Sequence, residues 1–348
     1  EKAFYGCNYL KQLTLAPNVY SIAAHAFGGN KTLKAVTVNS VGEGGALDFA
    51  AYAFADVKVA DRYEYNVDTL VIGAAVPTFD VIKVFGEKLI NLSVDDANSN
   101  YKSEDNVLYD VETTKIIFYP KNKAGEYVVP DTVTAITENL FADRVLLTVI
   151  TIGKSVETIE TNAFARCYAL TEVKFAENCV VATIQNYAFR DCANLKKIVL
   201  PSKLNALGNS GEDLLVFEGC NALKSVGIAA GNAKFVAEND ILYGLDESGN
   251  KTELIASFAE TAQDGVVDLP QTLTKIATKA FAGKTEIREI RFSHGVSDSL
   301  VIGDEAFAQC VNLEKVDLPK NVTRIGNRAF LGCAKLTAIT IPETVEYV

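Results

Sequence analysis

The chain has 348 residues, 49% hydrophobic and 22% charged, with a net charge of −11 and a pI near 4.9. That balance excludes phosphate-backbone partners, which need clustered Lys and Arg, and no Lys/Arg run offsets it. No stretch approaches the ~18 consecutive apolar residues that cross a bilayer as a helix.

Taken in chain order, one short phrase returns throughout: small residue, Phe, two variable residues, often Cys, two more, Leu. It begins at Ala3-Phe4-Tyr5-Gly6-Cys7 and recurs at Phe27, Phe54 and Phe85, with Phe-to-Phe spacings of 23, 27 and 31. Residues 42–84 are the least regular, with Gly42-Glu43-Gly44-Gly45 and Tyr63-Glu64-Tyr65 in long connections. The phrase returns at Phe141, Phe164, Phe189 and Phe217, then at Phe281, Phe307 and Phe330. The column thus takes eleven of the 18 Phe, and six of the seven Cys sit three residues beyond one. Fixed-period self-similarity implies stacked units, so length says nothing about domain number.

Aligned on Phe, the copies carry apolar residues at +6, +9 and +11, as in Leu195, Ile198 and Leu200 after Phe189. The alternation from +8 to +12 predicts a short strand, which Pro201 and Pro319 at +12 would end. The threefold spacing of A-F-x-x-C-x-x-L predicts a helical or 3₁₀ turn. One short strand and one tight turn per 23 residues predict a single right-handed leucine-rich-repeat solenoid over 1–348, with both ends cut within a repeat. Two gaps in the Phe column hold similar phrases, Tyr101 to Asp110 and Phe235 to Gly244, each followed by a polar turn and an apolar run. They predict β-hairpin insertions over 98–130 and 231–270.

The phrase V-x-x-I-x-x-x-A-F-x-x-C-x-x-L-x-x-V-x-L-P, as at Val322, Ile325, Ala329 and Phe330, resembles the BspA-like, or Treponema-type, leucine-rich repeats of bacterial surface proteins. The N-x-L-Y phrase of the gaps is similar to inserts common in that family. The resemblance covers nearly all the chain outside 42–84. It implies export, display on a bacterial surface or secretion, and in some members attachment to host extracellular-matrix proteins or to other bacteria.

No grouping calls for catalysis, a cofactor or a metal. Cys167, Cys192 and Cys220 fall on successive turns, as do Cys310 and Cys333, close enough for disulfides. Three in a row cannot all pair, however, and the column faces the core, so they read as free buried thiols. Cys179 lies outside the column and reads as semi-exposed. His25 and His294 stand in unrelated contexts. The acids Asp95-Asp96, Glu238 with Asp240, and Asp304-Glu305 sit in separate turns rather than facing one cleft. Asp96-x-Asn98-x-Asn100 begins like a calcium loop, but Tyr101 and Val107 replace its Gly and bidentate Glu. Asp246 to Asn250 reads as a polar turn.

The remaining candidate is the outward face of the strands. The +8 and +10 rows are small and polar at Thr14, Thr37 and Thr340. They are charged at Glu172, Lys174 and Lys197, with Val199 beside them, and again at Glu289, Arg291, Lys315 and Asp317. Two readings stand side by side: a solubilising face with weak cross-strand pairs, or a concave surface engaging a protein partner. The hairpins are a second possible binding element. The expected molecule is a monomeric, non-enzymatic adhesion module, or else a structural spacer presenting another domain.

Overall fold

The strand at +8 to +11 places every second side chain inward, and stacking identical strands pairs their backbones. In the computed structural model, described over residues 1–41, 44, 46–56, 63–208, 215–258, 263–293 and 299–348, this produces a parallel-strand solenoid. Its main face runs through three sheets. Gln12–Leu15, Ala35–Val38, Thr69–Ile72 and Asn91–Val94 form the first. Gly125–Val128, Leu147–Ile152, Glu172–Phe175, Lys197–Leu200 and Ser225–Ile228 form the second. Val266–Leu269, Glu289–Phe292 and Lys315–Val316 form the third. The V-x-x-I phrase makes a second, shorter rung, as in the ladder Ala135–Ile136, Thr158–Ile159, Thr183–Ile184 and Ala206–Leu207.

The A-F segment departs from the expected helical turn. Leu140, Ala142 and Arg144 do donate their N–H groups three residues back, at 3.2, 3.0 and 3.2 Å. The alternate residues Asn139, Phe141 and Asp143 instead donate to Thr161, Ala163 and Ala165 of the next coil, at 3.3, 2.8 and 2.9 Å. Helix propagation needs every N–H inside the segment, so the threefold spacing survives while the helix does not. The alternation places left-handed residues two before and two after Phe, such as Asn139 and Asp143, or Asn162 and Arg166. Gly29, Gly283 and Gly332 take the later position in other coils, where φ is +66°, +75° and +76° and lack of Cβ removes the strain. Among the described residues the only helices are Val81–Phe85, capped by Asp80, and a 3₁₀ turn at Gln263–Gly265. The Thr340 segment, expected as a strand, is also not one.

The Phe rings stack along the axis. Centroids are 5.1, 5.1 and 4.5 Å apart from Phe4 through Phe27 and Phe54 to Phe85. They are 5.0, 5.2 and 5.8 Å apart from Phe141 to Phe217, and 5.2 and 5.1 Å apart from Phe281 to Phe330. The stack is interrupted by two three-stranded antiparallel meanders: Tyr101–Glu104 with Val107–Asp110 and Ile116–Phe118, and Phe235–Glu238 with Ile241–Leu245 and Lys251–Ser257. Meander rings close the stack edge-on, Tyr119 against Phe141 at 4.9 Å and Phe258 against Phe217 at 5.8 Å. Three apolar cores follow the three stacks.

Burial sets the energetic ranking along the stack. Phe164 is fully buried while Phe4, on the first coil, is 52% exposed. Phe164→Ala is expected to lower stability by about 3–5 kcal/mol, and Phe4→Ala by well under half of that. Urea unfolding followed by tyrosine fluorescence checks the ranking, and equal losses would contradict it.

Candidate binding surface

The cysteine column acts as a set of donors. The Sγ of Cys167, Cys192, Cys220, Cys310 and Cys333 donates to the carbonyl of Phe141, Phe164, Phe189, Phe281 and Phe307, one coil back, at 3.0, 3.2, 3.0, 3.1 and 3.2 Å. In two coils that lack Cys at this position, another donor stands in. Asn30 Nδ2 reaches the Phe4 carbonyl at 2.9 Å, and Arg144 Nε reaches the Tyr119 carbonyl at 3.0 Å. The core-filler reading therefore captured the burial but missed the hydrogen bond that makes +3 a donor position. All seven cysteines are free, but Cys7 is exposed and Cys333 half-buried, because they lie on end coils. Cys179, expected as semi-exposed, is buried at 6%.

Burial pushes the Cys167 and Cys310 thiols up to about 12. The hydrogen bond to Cys220, followed by burial, raises Cys192 as well. Such thiols are poor nucleophiles at neutral pH.

The other candidates are spent on structure. His25 Nδ1 lies 3.0 Å from the Ala55 carbonyl and its ring stacks near Tyr52 and Tyr63, while His294 falls outside the described residues. Asn98, in the calcium-like phrase, is 5% exposed. Its Nδ2 donates to the Gly73 and Val76 carbonyls, and its Oδ1 accepts from the Asn100 and Tyr101 amides. Asn232 does the same at the second meander, donating to Pro201, Ser202 and Leu204 carbonyls and accepting from Lys234 and Phe235. Asp246 accepts from the Ser248 and Asn250 amides, and the Asn250 bonds hold its carboxyl below the usual range. Asp304 is bonded to Asn327. No group of three or more His, Cys, Asp or Glu among the described residues is arranged to hold a metal.

The outward charges form two separate clusters. In the second sheet Glu172 lies opposite Lys197 and is 3.4 Å from Lys174, with Val199 56% exposed beside them. In the third sheet Glu289 accepts from Arg291 at 2.8 Å and from Lys315 at 3.1 Å, and Lys315 lies 2.7 Å from Asp317. The Arg291 hydrogen bond, then that of Lys315, holds the Glu289 carboxyl at about 2. Each cluster lines a cleft, of about 440 Å³ at Glu172, Lys174, Lys197 and Val199, and about 850 Å³ at Glu289, Arg291, Lys315 and Asp317. The sequence placed these eight residues on one face. The structure groups them as two fours, on two sheets.

A parallel solenoid of short strands, each coil carrying one apolar turn and one alternating strand, is a leucine-rich-repeat architecture. The model of the BspA-type leucine-rich-repeat region matches in six copies over residues 1–64, 112–239 and 256–348, and the chain belongs to that family. Among solved structures it is similar to a leucine-rich cell surface protein of Faecalibacterium prausnitzii, at 18% identity and TM-score 0.55, covering 97% of this chain and 77% of that one. It is also similar to the pneumococcal vaccine antigen PcpA, at 20% identity and TM-score 0.51, covering 99% and 69%. At these identities the likeness is one of fold. No curated protein matches the chain.

Two outcomes test the thiol column. Cys192→Ala is expected to cost about 1–3 kcal/mol, since the buried Phe164 carbonyl loses its donor, and Cys192→Ser to recover part of it; urea unfolding of both variants reads this. The second concerns pH. A thiol raised from 9.0 to about 12 on folding contributes stability that is present below pH 9 and lost as pH rises toward 12. Melting temperature should therefore fall across that window, less steeply in Cys167→Ser, and equal slopes would contradict the assignment.

Proposed function

We propose that the chain is a non-enzymatic, extracellular binding module, displayed on or secreted from a bacterial cell. It engages a protein partner, on a host or a neighbouring cell, through the outward and concave face of its main sheets. The observation that carries this reading is the gathering of the outward charged residues into two clefts on otherwise regular strands. A solubilising face has no need of clefts. Membership of the BspA-type family and likeness to a cell surface protein support the location. The same charges pair with one another, Glu289 with Arg291 and Lys315 above all, which also suits a chemically silent spacer presenting another domain.

Charge reversal separates the two readings. In a solid-phase assay against extracellular-matrix proteins and whole-cell surface extracts, Lys174→Glu with Lys197→Glu, or Arg291→Glu with Lys315→Glu, should weaken capture at least tenfold. Circular dichroism should stay unchanged. Unaltered capture, or none by the parent chain, would favour the spacer.

A further inference from the structure

The two clefts share one cause in the backbone. At six junctions of the main sheets the amide of the residue after the strand closes the ladder by donating to the last strand carbonyl of the preceding coil. Asn39 donates to Leu15 at 3.1 Å, Gly73 to Val38 at 2.8 Å and Asp95 to Ile72 at 2.8 Å. Ala176 donates to Ile152 at 2.9 Å, Ala229 to Leu200 at 2.8 Å and Ser293 to Leu269 at 3.0 Å. At two junctions the closing residue is Pro201 or Pro319, which has no N–H to give. The carbonyls those prolines would have served belong to Phe175 and Phe292.

Those two positions differ again in their side chains. The last inward residue of the main strand is aliphatic elsewhere, as at Leu15, Val38, Ile72, Val94, Ile152, Leu200, Ile228 and Leu269, and Phe only at Phe175 and Phe292. Each ring is half-buried. The consequence is visible in the register. Glu172–Phe175 pairs with Lys197–Leu200 through two residue pairs only, as does Glu289–Phe292 with Lys315–Val316. Neighbouring junctions, such as Gln12–Leu15 with Ala35–Val38 or Lys197–Leu200 with Ser225–Ile228, pair through four. A missing donor and a bulky ring thus open the ladder at the same register twice, and both clefts lie where it opens, each lined by its Phe and its Pro.

We propose that each opening receives an extended segment of a partner polypeptide. The segment donates one backbone N–H in place of the missing proline amide and lays one apolar side chain against the Phe ring. This rests on the binding-module reading above and specifies where and how the face binds. Addition of an extended segment to an unfinished ladder is a general recognition mode, in which main-chain bonds give affinity and a side-chain pocket gives selectivity. The charge around the openings fits a polypeptide better than a polyanion. Glu172 and Glu177 balance Lys174 and Lys197 in one, and Asp268, Glu289 and Asp317 balance Arg291, Lys315 and Lys320 in the other. Neither opening presents the net positive charge that a phosphate or sulfate chain requires.

The test restores the missing donor without touching the charged rim. The P201A/P319A double variant should gain slow-exchanging amides at positions 201 and 319 by hydrogen exchange, and its clefts should close. The probe is a random dodecapeptide phage library panned on the parent chain, with the recovered peptides synthesised and their affinity read by fluorescence anisotropy. Peptides should enrich on the parent chain and bind the double variant at least tenfold more weakly. F175L/F292L, which removes the ring but keeps the proline, should weaken binding as well. Equal affinity for parent and double variant, absence of enrichment, or, in a separate anisotropy measurement, binding of a labelled neutral oligosaccharide such as maltohexaose that P201A/P319A abolishes while no peptide binds, would each overturn the proposal. A protein partner lost on charge reversal but retained by P201A/P319A would sink this proposal alone and leave the binding-face reading standing.

Discussion

The architecture depends on how one short turn disposes of its backbone N–H groups. At Phe4, Phe27, Phe141, Phe164, Phe189, Phe281 and Phe307, alternate amides stay within the turn and the others cross to the next coil, as Phe141 does to Ala163 and Phe164 to Ala188, at 2.8 and 2.7 Å. A buried amide must find a partner, so a coil of this kind is incomplete without its neighbour. The Phe ring then fills the space under the turn, and its stacking on the next ring fixes the repeat distance. The donor three residues later closes the remaining demand by serving the Phe carbonyl. Phe, left-handed flanks and the +3 donor are one device.

That device leaves the opposite side of each coil free to vary. The strand rows need only an inward apolar alternation, so their outward residues carry charge at Glu172, Lys174, Lys197, Glu289, Arg291, Lys315 and Asp317. Two departures from regularity lie there too. Proline at the end of Lys197–Leu200 and after Lys315–Val316 removes a ladder bond that six other junctions make, and Phe replaces the usual aliphatic residue opposite.

Much of this was legible in the sequence because it is periodic. The recurrence of Phe, the alternation in Glu172-Val173-Lys174-Phe175 and the matching Tyr101 and Phe235 phrases announce a stacked parallel solenoid with two similar interruptions. The turn was misjudged because spacing of three is common to a helix and to isolated i→i−3 turns. What distinguishes them is the direction of amides such as Asn139 and Asp143, which no side-chain pattern records. The Cys column looked apolar because thiols are small and buried, and only Asn30 and Arg144 at the same position hint that a donor is wanted. The division of the candidate face into two clefts was hidden as well. Pro201 and Pro319 were visible as strand ends, but their effect lies on the preceding coil, in a bond between residues 26 or 27 apart in sequence.

The most direct test of the turn as the organising device is amide hydrogen exchange resolved to single residues. Phe141, Phe164, Phe189, Phe281 and Phe307 sit in turns, yet their amides donate between coils. They should exchange as slowly as the buried strand amides of Ile150 and Ile290. Exchange at the rate of ordinary surface turns would show that the Phe turns are not bonded from coil to coil, and would contradict the account.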